Sequence, residues 1–270
     1  MHQINSTILF LKMIVSIIGS GNTATMLGKL LKKNNYIIKE IISRNGIAAK
    51  KLAEELNANA CTAFKQLDKK SDVYIIAVRD DAVVEVSAQV SMSEKIVVHT
   101  CGSVPMNVLA ETSSNYGILY PLQSLRKELN YTPVIPFLVN GNNNFSRESI
   151  FNLAKSIAEK VIVADDALRL QYHLSAIIVS NFTNHLFALA KDYCSNNNVD
   201  FRLLLPLIEE IVNRLQNYEP SLMQTGPAIR GDETTMQKHL HLLNEFPQLK
   251  KIYEVMSESI RQYHSDEASI

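Results

Sequence analysis

The chain has 270 residues, 46% hydrophobic and 20% charged, enough for one large or two modest domains with real cores. Lys and Arg (27) balance Asp and Glu (27), and with no basic stripe this excludes the electrostatic footprint of a nucleic-acid or anionic-membrane binder. Cys61, Cys101 and Cys194 are an odd set at wide spacing with no Cys-x-x-Cys pair, which argues against a disulfide framework and against zinc, and for a reducing compartment.

Residues 1–12 read as a short extension. Their apolar run Ile8–Leu11 is split from the next one by Lys12, carries no cationic cluster and leads to no small-residue cleavage site, so it is not a signal sequence. No other segment approaches the roughly 18 uninterrupted apolar residues of a membrane span. A cytoplasmic protein is expected.

From residue 13 to 163 short apolar, β-branched runs alternate with segments of helical period. The strands are expected at 14–18, 37–42, 73–78, 96–99, 117–120, 137–139 and 161–163, and the helices at 23–33, 47–56, 81–90, 104–111 and 146–159. Runs without polar alternation suit strands buried on both faces, so the pattern is a mostly parallel, doubly wound α/β sheet. After residue 163 the strands stop. Long amphipathic stretches at 167–196, 202–217, 234–244 and 246–263 predict an all-helical second domain over 164–270.

The first strand runs into Gly19-Ser20-Gly21-Asn22-Thr23-Ala24, a G-x-G-x-x-A pattern at the first strand-turn-helix of the α/β region. That is the dinucleotide fingerprint. The first glycine makes the tight turn, the second lets a pyrophosphate touch the backbone, and Ala24 lets helix pack on strand. Asn22 and Thr23 offer N–H groups at the helix N-terminus, and Gly28 allows a close helix. The second strand ends in Ser43-Arg44-Asn45 without the carboxylate that NAD-preferring sites place there. A hydroxyl, a guanidinium and an amide favour a 2′-phosphate, hence NADP; the alternative is a solvated turn opening the next helix.

Three more strand ends face the same crevice by topology. Ala77-Val78-Arg79-Asp80-Asp81 ends one strand, and helix capping alone would account for both aspartates. His99-Thr100-Cys101-Gly102-Ser103 ends the next, with Gly102 and Ser103 expected to open a helix near the nicotinamide. Tyr120-Pro121-Leu122-Gln123-Ser124 ends a third.

The segments IIGSGNTATMLG, SRN, DVYIIAVRDDAV, VVHTCGSVP, LYPLQSL, YHLSAIIVSNFTNHLFALA and LMQTGPAIRGDETTMQKHL together resemble a family of Rossmann-like proteins with a helical C-terminal domain, labelled as NADP oxidoreductases without an assigned substrate. The resemblance spans roughly residues 13–262. That family is similar in turn to pyrroline-5-carboxylate reductase, the deazaflavin-dependent NADP oxidoreductases and the β-hydroxyacid dehydrogenases. It implies an NADP-binding domain over 13–163, a helical domain of the 6-phosphogluconate dehydrogenase-like type that builds a homodimer, and oxidoreductase chemistry on a small molecule.

On the 167–196 segment His173, Ile177, Ser180 and Asn184 share one helical stripe with Asn181 beside it, amid an otherwise apolar helix that should be buried. β-Hydroxyacid dehydrogenases carry on such a helix a catalytic lysine followed four residues later by asparagine. This chain departs from them: Ile177 stands four residues after His173, and no lysine occurs between 161 and 190. His173 is the substitute proton donor, since imidazole exchanges protons near neutral pH, with Asn181 beside it. The alternative is a structural histidine. Gly102, Ser103, Gln123, Asn184 and Arg230 are candidate substrate contacts, Arg230 as a carboxylate clamp or as a stitch between domains, with Asp232 capping the helix after it. A non-catalytic NADP-binding sensor or assembly protein is the competing function.

Overall fold

The computed structural model describes residues 13–267, so the expected extension at 1–12 lies outside the described residues. The chain divides into two compact units, one running to Asn181 and the other Phe182–Ile270.

The first unit is built on one eight-stranded sheet of β1 (Ile14–Ile18), β2 (Ile37–Ile42), β3 (Asn59–Cys61), β4 (Val73–Ile76), β5 (Ile96–His99), β6 (Asn115–Pro121), β7 (Phe137–Gly141) and β8 (Val161–Val163). Their order across the sheet is β3-β2-β1-β4-β5-β6-β7-β8. Every neighbouring pair is parallel except β6 with β7. Helices α1 (Asn22–Lys33), α2 (Gly46–Leu56) and α4 (Asn144–Ile157), with the short α3 (Val83–Ser87), connect the strands.

The continuous apolar runs follow from two-sided burial. Val73 and Ile75 belong with Val15, Ile17, Leu27 and Leu153 in one core layer. The intervening Tyr74 and Ile76 belong with Ile18, Ile42, Val86 and Leu109 in the other. A strand with a packed layer on each face has no position for a solvated side chain. The sheet reverses direction between β1 and β4, and the carboxyl ends of these strands border the crevice where α/β sheets bind ligands.

Three sequence expectations need correction. The helix expected over 104–111 is only a single-turn 3₁₀ segment, Met106–Leu109, so Gly102 and Ser103 lie in a loop and open no helix. Pro105 sits before it, and its ring disfavours helical geometry at the residue ahead. The helix over 81–90 contracts to α3 after a 3₁₀ turn at Asp80–Ala82, and neither aspartate caps it. The long 167–196 helix is three segments: α5 (Asp166–Ala176), a π-helical stretch (Ile177–Phe182) and α6 (Thr183–Asn196). It is not buried either. Leu174, Ile178, Val179 and Phe182 are 58, 51, 72 and 58% exposed.

The second unit adds α7 (Leu205–Arg214), α8 (Glu233–Leu242) and α9 (Pro247–Glu267) to α6. Asp232 caps α8 as expected, accepting from the Thr235 N–H at 3.0 Å. No helix among the described residues is long and apolar enough to cross a membrane. Cys61, Cys101 and Cys194 are buried free thiols.

Candidate active site

The glycine turn shows which side of the loop is open. Gly19 has φ +131°, and a Cβ there would stand 2.1 Å from the Ala77 carbonyl oxygen, so the first glycine is required by the fold. Gly21 has an extended backbone, and a Cβ there would meet nothing within 4 Å. Its free side faces a cavity of about 500 Å³ lined by Gly19–Thr23, Ser43–Asn45 and Ala77–Asp80. Gly21 also precedes α1 with no side-chain cap and no acidic residue in the first turn, which leaves the leading N–H groups for an anion. Ala24 is fully buried and lets α1 lie against the sheet. Gly28 packs mainly on α2, where a Cβ would meet Leu56 at 2.4 Å.

The end of β2 carries the polar groups of this cavity. Ser20 Oγ donates to Ser43 Oγ at 2.8 Å. Asn45 uses its carbonyl to cap α2 through the Ala48 N–H at 3.1 Å, so only its amide nitrogen remains for a ligand. Arg44 is 68% exposed at the rim and faces Glu85 at 3.5 Å. Such an exposed pair holds its guanidinium weakly. A glycine turn open on one side, an uncapped helix start and an exposed guanidinium fit a phosphorylated dinucleotide.

A second cavity of about 560 Å³ adjoins the first, and Asn22, Thr23, Val78 and Asp80 line both. Thr100, Cys101, Gly102, Tyr120 and Gln123 line it from the sheet, and His173, Ile177, Ser180 and Asn181 from α5 and the π segment. Tyr120 Oη lies 3.0 Å from His173 Nδ1, with the rings edge to face at 5.9 Å. Gly102 is the floor: a Cβ there would stand 2.5 Å from His173 Nδ1. The ring is therefore fixed on two sides. Ser124 Oγ bonds Ser180 Oγ at 2.8 Å and Asn181 Oδ1 at 3.5 Å, which gathers three neutral polar groups in the cavity lining. Gln123 is engaged internally, donating to the Val134 carbonyl at 2.9 Å.

Asp80 closes the junction of the two cavities. Ser103 Oγ donates to its carboxylate at 2.5 Å, which draws Ser103 out of the cavity lining. Burial pushes the Asp80 carboxyl up, but bonds from Ser103 and Cys101 outweigh it and hold it below its ordinary range. Asp81 instead pairs with Arg79 at 2.5 Å. Burial pushes the Cys101 thiol well above its ordinary range, with the Asp80 charge adding to it, so the thiol stays protonated.

Beneath the site, His99 is fully buried. Its Nδ1 accepts the Cys101 N–H at 3.2 Å, so the proton sits on Nε2, facing the Pro105 carbonyl at 3.3 Å. Burial, reinforced by the Arg169 charge, lowers its pKa to about 4.

Sequence reasoning placed Tyr120 and Ser124 at the crevice by position but gave neither a role, and it missed Arg169. A tyrosine at a strand end facing the crevice was a usable signal for the first. The other two depend on contacts across more than fifty residues and leave no local pattern. Asn184 and Arg230 lie in the second unit and do not line this cavity.

Residues 14–102 match the family model of coenzyme F420-dependent NADP oxidoreductases, and residues 135–260 match a domain of unknown function, DUF2520. No curated protein matches the chain. Among solved structures, a Bacteroides fragilis protein assigned to the NADP oxidoreductases is 33% identical over 93% of this chain and 98% of its own, with a TM-score of 0.87. A reductive aminase from Aspergillus terreus, solved with NADPH and ethyl-5-oxohexanoate, is 14% identical over 93% and 95% of the two chains, with a TM-score of 0.66. A 1-pyrroline-5-carboxylate reductase from Streptococcus pyogenes is 15% identical over 93% and 99%, with a TM-score of 0.58. The last two share the fold. Taken with the glycine turn and the first structure's identity over nearly both whole chains, these matches establish that the protein belongs to the NADP oxidoreductase family with a Rossmann domain and a DUF2520 region, and that its cofactor is NADP.

Proposed function

We propose that the chain is an NADP-dependent reductase of a small carbonyl or imine, working in reverse on a hydroxy acid or amine, with His173 as the proton donor. The observation that carries this is a histidine fixed by Tyr120 at 3.0 Å in a cavity that shares four lining residues with the glycine-turn cavity. NADP(H), when bound, supplies or accepts the hydride, and the protein supplies orientation and a proton. Gly19, Gly21, Asn22 and Thr23 hold its pyrophosphate and Ser43, Arg44 and Asn45 its 2′-phosphate, while Ala77, Val78, Asp80, Thr100 and Cys101 flank the rest.

As the imidazolium, His173 carries both ring protons: Nδ1–H donates to Tyr120 Oη, and Nε2–H goes to the substrate oxygen or nitrogen, leaving a neutral ring. Tyr120 then stabilises the ring through the transfer. Its own hydroxyl is held above the ordinary tyrosine range by burial and by the Asp80 charge, so it stays neutral while its oxygen accepts the Nδ1–H. Asn181, with Ser124 and Ser180, orients the substrate's polar group. The carbonyl and imine classes gain support from the fold shared with a reductive aminase and a pyrroline carboxylate reductase.

The exposed apolar face of α5 and the π segment supports a homodimer through the helical region from residue 164 onward. Sedimentation at micromolar concentration tests it.

The function is tested by NADPH oxidation against a panel of small ketones, aldehydes and cyclic imines. His173→Gln should lower turnover by about 100-fold or more, as expected for a general acid, while NADPH affinity stays within about twofold. Unchanged turnover would remove His173 as the acid. No turnover by the wild type, with NADPH still bound, would favour a nucleotide-binding sensor.

A further inference from the structure

Arg169 has no part in holding nucleotide or proton in that reading, yet its side chain is 1% exposed. A buried charge is costly, and an apolar side chain of similar volume is often more stabilising. Its donors are all directed. Nη1 bonds Asp166 Oδ1 at 2.7 Å, Nε donates to the Gly102 carbonyl at 3.3 Å, and Nη2 donates to the Val104 carbonyl. Asp166 in turn accepts the Met106 N–H at 3.1 Å. One ion pair thus fastens Gly102, Val104 and Met106, the loop after β5, to α5.

The same loop and helix hold the imidazole. His173 lies one turn beyond Arg169 on α5, and Gly102 backs directly onto its ring. A shift of the loop along α5 would change the gap between Gly102 and Tyr120 in which the ring sits. We infer that Arg169 is a positioning residue that clamps the loop after β5 to α5 and so fixes His173 for proton transfer. This rests on the reading of His173 as the acid.

The test compares wild type, Arg169→Met and Arg169→Lys, with His173→Gln as reference. The His173 Cε1–H proton resonance, assigned by its loss in His173→Gln, reports the ring without any turnover. Steady-state kinetics with NADPH and 2-methyl-1-pyrroline, NADPH affinity and melting temperature complete the set. In Arg169→Met the resonance should shift, and kcat should fall by about 10- to 100-fold, the effect of roughly 1 Å of misplacement. KM for the imine should rise less than about threefold, because Ser124, Ser180 and Asn181 are untouched. Arg169→Lys keeps the charge but cannot span two carbonyls and a carboxylate, so it should recover only part of the rate.

A folded Arg169→Met with a lower melting temperature but unchanged resonance and kcat would overturn the inference, leaving a purely structural role. If that variant does not fold, Arg169→Lys decides by the same two readouts. If the wild type does not reduce the imine, or His173→Gln keeps its rate, the acid assignment fails separately. The resonance still shows whether Arg169 holds the ring.

Discussion

Replacing Gly21 by alanine adds one methyl group at a position where the protein has room for it. The backbone is already extended, and no protein atom lies within 4 Å of the new carbon. Lower chain entropy in the unfolded state and the slightly poorer helix cap nearly cancel, so folding stability should change by less than about 0.5 kcal/mol. The methyl group enters the cavity side, where the pyrophosphate must approach the backbone. Losing one charge-assisted N–H to phosphate bond is worth about 1.5–3 kcal/mol, or roughly 10- to 150-fold in Kd. The assay is fluorescence titration of NADPH, read on the nicotinamide because the chain has no tryptophan. Gly19→Ala is the contrast: with φ +131° and a carbonyl oxygen 2.1 Å from the new Cβ, it should destabilise the fold by about 3 kcal/mol or more. An NADPH affinity for folded Gly21→Ala within about twofold of wild type would refute the assignment of the open side to the pyrophosphate.

Arg44→Ala should abolish the preference for NADPH over NADH, a loss of about 10- to 100-fold in NADPH affinity with NADH unaffected, measured by the same titration. Gly102→Ala drives a Cβ to 2.5 Å from His173 Nδ1, so the ring must recede by about 1 Å and release Tyr120. Turnover of any panel substrate should fall about 100-fold while NADPH affinity holds, and an unchanged rate would show that the ring is not the acid or is not held there. His99 titrates near 4 in the folded chain against an ordinary 6.5. Between those values the unfolded chain binds a proton that the native state refuses, so stability falls as pH drops through the window and is independent of this group above it. The loss should be about 2 kcal/mol at about pH 5, read by urea unfolding. His99→Gln should flatten that slope, and a slope unchanged in the variant would move the effect to other groups.

The central strands were legible because their burial is two-sided: Val73–Ile76 and Ile96–His99 have no solvated positions to confuse the period. Asn59-Ala60-Cys61 escaped notice for the opposite reason. It is three residues at the sheet edge, two of them exposed, recruited by pairing with β2 rather than by its own pattern. The glycine turn was legible in type, yet only the built backbone separates Gly19, which the fold requires, from Gly21, which it merely permits.

The helix over 167–196 failed in a more instructive way. Its residues keep the period of an unbroken helix, and on that basis His173, Ile177, Ser180 and Asn184 form one stripe. A π segment carries wider turns, so the phase slips, and Ser180 with Asn181 lines the cavity while Asn184 passes into the second unit. The helix α5 that carries His173 up to this irregular stretch is held by contacts reaching 65 and 67 residues back in sequence, from Arg169 to Val104 and Gly102. A local pattern can nominate a histidine. What gives it a fixed direction is a buried cation whose partners the local pattern does not contain, so the residues that decide catalytic geometry are those least visible to periodicity.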